Sequence, residues 1–452
     1  MNDKELLQKY NVPGPRYTSY PTVPFWKNQD LKAADWLEKL SQKQQAITRS
    51  LGIYIHLPFC ESLCTFCGCH KRITKNHQVE APYIDSVLQE WDLYQAHLSP
   101  KNTIKELHLG GGTPTFFSPE NLKKLISSIL QDATVSENHE FSVEVHPNYT
   151  EKAHLEVLYN LGFNRISLGV QDFDPTVQFV INRMQSFEKT AEVINWAREI
   201  GFHSVNIDLI YGLPKQTLQS IEFTIEKVKE LLPDRIAFYS YAHVPWKSKV
   251  QRRYSEEDLP NAENKWKMYH RGNELLAEMG FESIGMDHFA LPNDQLLKSY
   301  REGKLNRNFM GYTTTSNKLI IGLGASSISD TWNAFAQNEK EVEAYQEQIK
   351  LGKLPLINGH LLNEEDIIIR KHILNLMCNG TTTLMNDSFD NSYINTVLEK
   401  LNGLKEDGLV EIKDSTIKIT SKGKLFVRNI SATLDTYLQN KSSQSTVFSK
   451  AI

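Results

Sequence analysis

The sequence predicts an α/β protein built on an open (β/α)6 barrel, a partial version of the eight-unit barrel. Three observations predict it. Six apolar, β-branched runs recur at 52–58, 104–109, 141–146, 165–170, 204–210 and 235–241. Between them lie stretches with helical spacing, at 83–94, 119–130, 152–161, 188–200 and 218–231. Strands alternating with helices form βαβ units around a parallel sheet, with right-handed crossovers. Polar or glycine-rich residues follow the C-terminal ends of the runs, which is the rim where a parallel barrel gathers its active site. Periodicity alone also admits a doubly wound sheet.

At 452 residues the chain can bury a sizeable core in two or three domains. Residues 1–47 read as an N-terminal arm followed by an amphipathic helix at 31–45. Prolines 13, 15, 21 and 24 stiffen the arm, and Tyr17, Tyr20, Phe25 and Trp26 give it surface to pack on the barrel. Residues 48–360 hold the barrel and an extension. In that extension 261–279 is helical, and 281–289 and 318–329 are strand and loop elements expected to close over the barrel mouth. Residues 361–452 form a mostly helical, winged-helix-like domain. Its helices are at 364–377 and 393–407, a hairpin turns at Asp414-Ser415, and 423–438 is helical again. Gly408 ends the second helix as a C-cap. The run 441–445 is polar and of low complexity.

Fifty basic residues stand against 54 acidic ones, a net charge of −4. The C-terminal section carries eleven of each sign. Neither balance is the basic footprint of a nucleic-acid reader or an anionic-membrane binder. The start shows no signal-peptide core, and no apolar run approaches a membrane span. A cytoplasmic protein is expected.

Four of the five cysteines, Cys60, Cys64, Cys67 and Cys69, fall within ten residues after the first strand. Four bridging cysteines so close together would strain any disulfide pairing. Structural zinc usually takes two separated Cys-x-x-Cys pairs, and no second pair is present. Iron–sulfur ligation suits clustered thiolates at short loop spacing best. At the rim, Gly110-Gly111-Gly112-Thr113 allows close backbone approach and can point amides at a carboxylate. Glu144 and Asp208 are carboxylates on otherwise apolar strands, and each needs a partner. Arg183 can pair with a ligand carboxylate. His56 and His108 are expected to be hydrogen-bonded barrel residues, and Cys378 a buried structural cysteine on an apolar helix face.

The spacing of Cys60, Cys64 and Cys67 resembles the signature of the radical S-adenosylmethionine (SAM) enzymes. The segments 56–60 and 67–69, with Pro15-Arg16-Tyr17-Thr18-Ser19-Tyr20-Pro21 upstream, resemble the oxygen-independent coproporphyrinogen III oxidases. The resemblance runs from Pro13 nearly to the C-terminus, and it favours the open barrel over the doubly wound sheet. It implies a [4Fe–4S] cluster on Cys60, Cys64 and Cys67, with the fourth iron left to SAM. It implies two adjacent SAM molecules, contacted by Tyr54, Phe66, Gly111, Gly112, Thr113, Glu144, Gln171, Arg183, Asp208, Ala242 and Ile328. It places the arm near the active site.

The implied reaction turns two propionates of coproporphyrinogen III into vinyl groups by a 5′-deoxyadenosyl radical, giving protoporphyrinogen IX. An electron donor and an electron acceptor are implied partners, besides the tetrapyrrole itself. Arg16 is the nominee to pair with a propionate, and Cys69 is a further thiol that either handles a radical or packs locally. Met310 stands where a glutamine is frequent in the family. A monomer is expected. The alternatives are a related haem chaperone, a radical SAM enzyme for another tetrapyrrole, and a zinc-stabilised structural protein.

Overall fold

The computed structural model describes residues 1, 3–26, 31–46, 50–99, 102–131, 133–246, 248–384, 391–439 and 448–450. The polar run 441–445 lies outside them. Buried on both faces, parallel strands need near-continuous apolar sequence, and the six predicted runs form the first six strands of a 12-stranded sheet. They are β1 (Ser50–Leu57), β2 (Thr103–Gly111), β3 (Thr134–Val145), β4 (Arg165–Gln171), β5 (Ser204–Tyr211) and β6 (Arg235–Ser240). The remaining six are β7 (Glu282–Ile284), β8 (His288–Ala290), β9 (Ile320–Leu323), β10 (Ile328–Asp330), β11 (Ala334–Asn338) and β12 (Leu356–Leu361).

The order is β12-β11-β10-β9-β1-β2-β3-β4-β5-β6-β8-β7. Strands β1 to β6 pair in parallel, and β9 adds to β1 in parallel on its free side. Strand β8 pairs antiparallel with β6. The two ends, β7 and β12, do not pair among the described residues, so the barrel is open. The segments expected to close over the mouth thus extend the sheet at its two edges instead. Their strands are only three or four residues long, enough to add an edge strand.

Helices Glu80–Gln95, Pro119–Leu130, Lys152–Asn160, Phe187–Ile200 and Leu218–Leu231 cover the parallel strands side by side in chain order. Local chemistry sets their ends. Ser118 accepts from the Asn121 amide before Pro119, Thr217 forms a capping box with Ser220, and Gly201 closes its helix in the left-handed region. One large core fills the space between sheet and helices.

A second core joins the arm to the C-terminal section. Leu6, Leu7, Tyr17 and Tyr20 are buried with Ile369, Leu401, Phe426 and Leu434. The arm therefore shares its core with the C-terminal section, and it touches the barrel sheet through Trp26, which stacks on Phe335 at 5.0 Å, and through Arg16, which donates to Ser240 O. It also contains a helix, Asp3–Tyr10, that the weak periodicity there hid. In the C-terminal section, helices Glu364–Asn379 and Asn391–Glu406 flank a three-stranded sheet, and the hairpin turns at Asp414 and Ser415 with positive φ. The predicted helix at 423–438 is broken into Lys424–Phe426, Val427–Ala432 and Thr436–Gln439. Asp435 caps the last piece, accepting from the amides of Tyr437 and Leu438 at 3.0 Å.

Candidate active site

The cysteine loop leaves the C-terminal end of β1 and is tied on both sides. Its root, Phe59–Cys60, pairs in parallel with Arg72–Ile73, so the loop returns to where it began. On one flank the Thr65 amide donates to Ile181 O at 2.9 Å, and Asn182 Nδ2 donates to Leu63 O at 2.8 Å. On the other, Gln251 Nε2 donates to Phe66 O at 3.0 Å and Tyr254 OH to Thr65 O at 3.2 Å. Phe66 packs against Val177, Ile181, Leu213 and Tyr241.

The thiols face donors. Thr113 Oγ1 donates to Cys60 Sγ at 3.3 Å, and Arg183 Nη1 approaches Cys64 Sγ at 3.5 Å. Lys71 Nζ donates to the carbonyls of Cys67 and Cys69 at 3.2 and 3.3 Å. Cys69 is exposed and within hydrogen-bond reach of Cys67, whereas Cys378 is buried. No group of three or more His, Cys, Asp or Glu among the described residues is arranged to hold a single metal ion. Three thiols on one loop, with hydroxyl and cationic donors beside them, suit a polynuclear cluster in which each thiolate takes its own iron.

The glycine run locks onto this loop. The amides of Gly112 and Thr113 donate to Leu57 O and Phe59 O at 2.9 Å, and the Gly111 amide donates to Glu144 Oε2 at 3.3 Å. This corrects the expectation that these amides greet a ligand carboxylate: they are spent inside the protein. A Cβ on Gly112 would lie 2.7 Å from the carbonyl oxygens of Pro58 and Phe59, and one on Gly111 would lie 2.6 Å from the His56 ring. Glycine is what lets the turn approach so closely.

A cavity of about 340 Å³ lies above β1 to β3, and Tyr54, Cys69, Gly111, Glu144 and Ile328 all line it. Tyr54 OH donates to His56 Nδ1 at 3.0 Å, and His56 Nε2 donates to His70 O at 3.0 Å. Burial pushes His56 down to about 4, so it is neutral at pH 7. The Tyr54 ring stacks on His108 at 5.8 Å. Burial opposes ionisation of Glu144, but the bonds from His108 Nε2, at 3.1 Å, and from the Gly111 amide outweigh it and hold the carboxyl below its ordinary value. Asp208 accepts from Asn206 Nδ2 at 2.8 Å and Ser167 Oγ at 3.2 Å, and burial, with the nearby Glu144 charge, pushes it up to about 6.

Gln171 follows a bulge in β4 with φ +72, and its amide and the Arg183 guanidinium converge where a Cβ of Gly169 would sit, both at 2.9 Å. Phe66, Gly112, Thr113, Gln171, Arg183 and Asp208 are not in the lining of the first cavity, and Ala242 and Arg16 lie elsewhere too. Ala242 lines a second one, of about 460 Å³. Arg16 lies at the end of β6, where its Nη2 donates to Ser240 O at 2.9 Å. Phe309, Met310 and Ser326 also line the first cavity, unforeseen as a group. They come from the barrel extension, and their signal in the sequence is the resemblance of 308–313 and 324–328 to the family.

This arrangement defines the class. The sequence model of the Radical SAM superfamily matches residues 54–228, the span that carries the cysteine loop and strands β2 to β5. The oxygen-independent coproporphyrinogen III oxidase of Pseudomonas aeruginosa is 38% identical over 449 residues, covering 98% of this chain and 97% of its own. That of Escherichia coli is 40% identical over 444 residues, covering 97% and 96%. The solved structure of coproporphyrinogen III oxidase from Escherichia coli, described as a radical SAM enzyme, matches with a TM-score of 0.88 at 36% identity, over 96% of this chain and 99% of that one. The chain belongs to the oxygen-independent coproporphyrinogen III oxidase family.

Proposed function

We infer that this chain is a radical SAM oxidoreductase of haem biosynthesis that decarboxylates two propionate side chains of coproporphyrinogen III to vinyl groups, giving protoporphyrinogen IX. The observation that carries the reading is likeness over nearly the whole chain to oxidases of that name. Cys60, Cys64 and Cys67 would hold a [4Fe–4S] cluster, which when bound would supply the electron for reductive cleavage of SAM. The protein's part is to hold SAM and substrate and to exclude water.

Carbonyl oxygens of Gly111 and Gly112 suit the ammonium group of SAM, since the amides around them are spent. Thr113 steadies Cys60 by the bond described above. Asp208 and Glu144 are acceptors for ribose hydroxyls or an ammonium. Arg183 neutralises charge beside Cys64, with Gln171 packed against it. Tyr54, Phe66, Ala242 and Ile328 supply the surfaces against which two SAM molecules lie. Arg16 takes a substrate carboxylate, and Cys69 acts beside the cluster. We keep the division into an arm at 1–47, a catalytic domain at 48–360 and a C-terminal domain at 361–452. We read the chain as a cytoplasmic monomer that uses a separate electron donor and acceptor and binds neither nucleic acid nor membrane. No helix among the described residues is long and apolar enough to cross a membrane.

The test is anaerobic incubation of the reconstituted, reduced chain with SAM and coproporphyrinogen III, read by mass spectrometry of the tetrapyrrole. Loss of two carboxyl groups is expected. An untouched porphyrinogen beside cleaved SAM would move the substrate elsewhere. Tight haem binding without SAM cleavage would make the chain a haem chaperone.

A further inference from the structure

At the end of β6, among the described residues, Arg16, Lys265 and Arg307 gather near one carboxylate, Asp287. Arg16 is held by the Ser240 carbonyl, and Lys265 Nζ donates to the next one, Tyr241 O, at 2.9 Å. Both of these bonds go to carbonyls. Burial, and then the charges of Arg16, Arg428 and Lys450, push the Lys265 ammonium down to about 7.

Arg307 lies on the other side of Arg16 and donates Nη2 to Arg16 O at 3.3 Å. It is 8% exposed, and its buried Nε and Nη1 have no hydrogen-bond partner. The carboxylate that faces Arg16 and Arg307 is Asp287, 3.8 Å from Arg16, and His288 already takes its Oδ1 at 2.7 Å. Cations gathered without matching anions are costly where water is scarce, and an arriving anion turns their mutual repulsion into attraction.

Room for that anion lies beside Lys265. The cavity of about 460 Å³ is bounded by Gly212, Tyr241, Ala242, Lys265 and Lys450, with Glu256 the acidic side chain in its wall. Gly212 makes the space that Lys265 occupies: a Cβ there would meet Lys265 Cε at 2.7 Å. Arg16 keeps 34% of its side chain exposed, so a ligand can reach it.

We propose that Lys265 and Arg16, backed by Arg307, form an anchoring site for carboxylates of the tetrapyrrole substrate at the end of β6. Lys265, on helix Ala262–Glu278, is the new member of that site. The proposal rests on the reading of the chain as a porphyrinogen oxidase.

The test titrates the full, reconstituted chain with coproporphyrin III, the stable oxidised form with the same propionates, and follows its fluorescence. SAM affinity is measured in parallel as a check on the fold. Lys265→Met should raise the porphyrin Kd by about tenfold or more, Lys265→Arg should restore most of the affinity, and SAM binding should be unchanged. Arg16→Met should act in the same direction, and it decides the matter if Lys265→Met also loses SAM binding. Wild-type affinity for the porphyrin in Lys265→Met and Arg16→Met would overturn the anchoring site and leave the oxidase reading standing. A wild-type chain that neither binds coproporphyrin III nor turns over the porphyrinogen would overturn both.

Discussion

Glu144 on β3 and Asp208 on β5 flank Ser167 of β4, which pairs in register with Glu144 and donates to Asp208. Their environments pull them apart. A histidine and an amide hold Glu144 ionised, while burial pushes Asp208 up to about 6. If Asp208 accepts hydrogen bonds from SAM, it does so as a carboxylate. SAM affinity should then fall as the pH drops through about 6, and Asp208→Asn should flatten that profile in a calorimetric titration. A profile identical in the variant would remove Asp208 from the SAM site. At the cysteines the expectation is sharper. Cys64→Ala should lose most of its iron and sulfide after reconstitution, whereas Cys378→Ala, buried in the C-terminal section, should keep both. Iron analysis of the two variants checks this.

At the scale of elements, the glycine turn and the cysteine loop behave as one piece. Gly112→Ala would press a methyl group against two backbone carbonyls of the loop root, and backbone yields less than a flexible side chain. Cluster loading should drop in this variant while the thermal midpoint moves by only a few degrees. Full loading would show that the turn does not set the loop. The arm is tied by another element contact. Asp435 is fully buried, takes a hydrogen bond from Tyr17 OH at 3.0 Å, and is pushed up to about 6 by burial. The folded state therefore holds this proton more tightly than the unfolded chain, whose aspartates titrate near about 3.9. Stability from this group is present below about 4 and lost as the pH rises through about 6, by up to roughly 3 kcal/mol. Asp435→Asn should lack that loss, which denaturant melts at pH 4 and pH 7 would reveal as a changed stability difference from wild type.

The barrel strands were legible because parallel strands buried on both faces need apolar runs, and 119–130 and 218–231 stand in the structure as helices with the predicted bounds. Edge strands β7 to β12 were less legible. Most are short, and the pairing of β9 with β1 and of β8 with β6 is a long-range fact with no local mark. The arm's burial against the C-terminal section was hidden for the same reason. Within the site, the cysteine spacing was plain, but the direction of the Gly112 and Thr113 amides was not, since residue type does not say which way a peptide faces. Nothing in the sequence marks Lys265 among the other charges of its helix; only the fold brings it to Arg16.

For the whole molecule, the open edge of the sheet matters as much as its parallel centre. Seven parallel strands, β9 and β1 to β6, make the trough that holds the cysteine loop. Antiparallel strands widen it at both sides, and the arm and C-terminal section stand together beside it on a shared core. A substrate with carboxylates around a large ring needs such a wide mouth, with the radical chemistry at one side and cations at another. Both propionates should therefore leave at one site by one chemistry. The most direct measurement follows 5′-deoxyadenosine and the tetrapyrrole together in a single anaerobic reaction with coproporphyrinogen III. The account predicts one 5′-deoxyadenosine for each carboxyl group lost, an end product short of two carboxyl groups, and neither product from Cys64→Ala. SAM cleavage that leaves every carboxyl group in place, or decarboxylation that persists in Cys64→Ala, would contradict it.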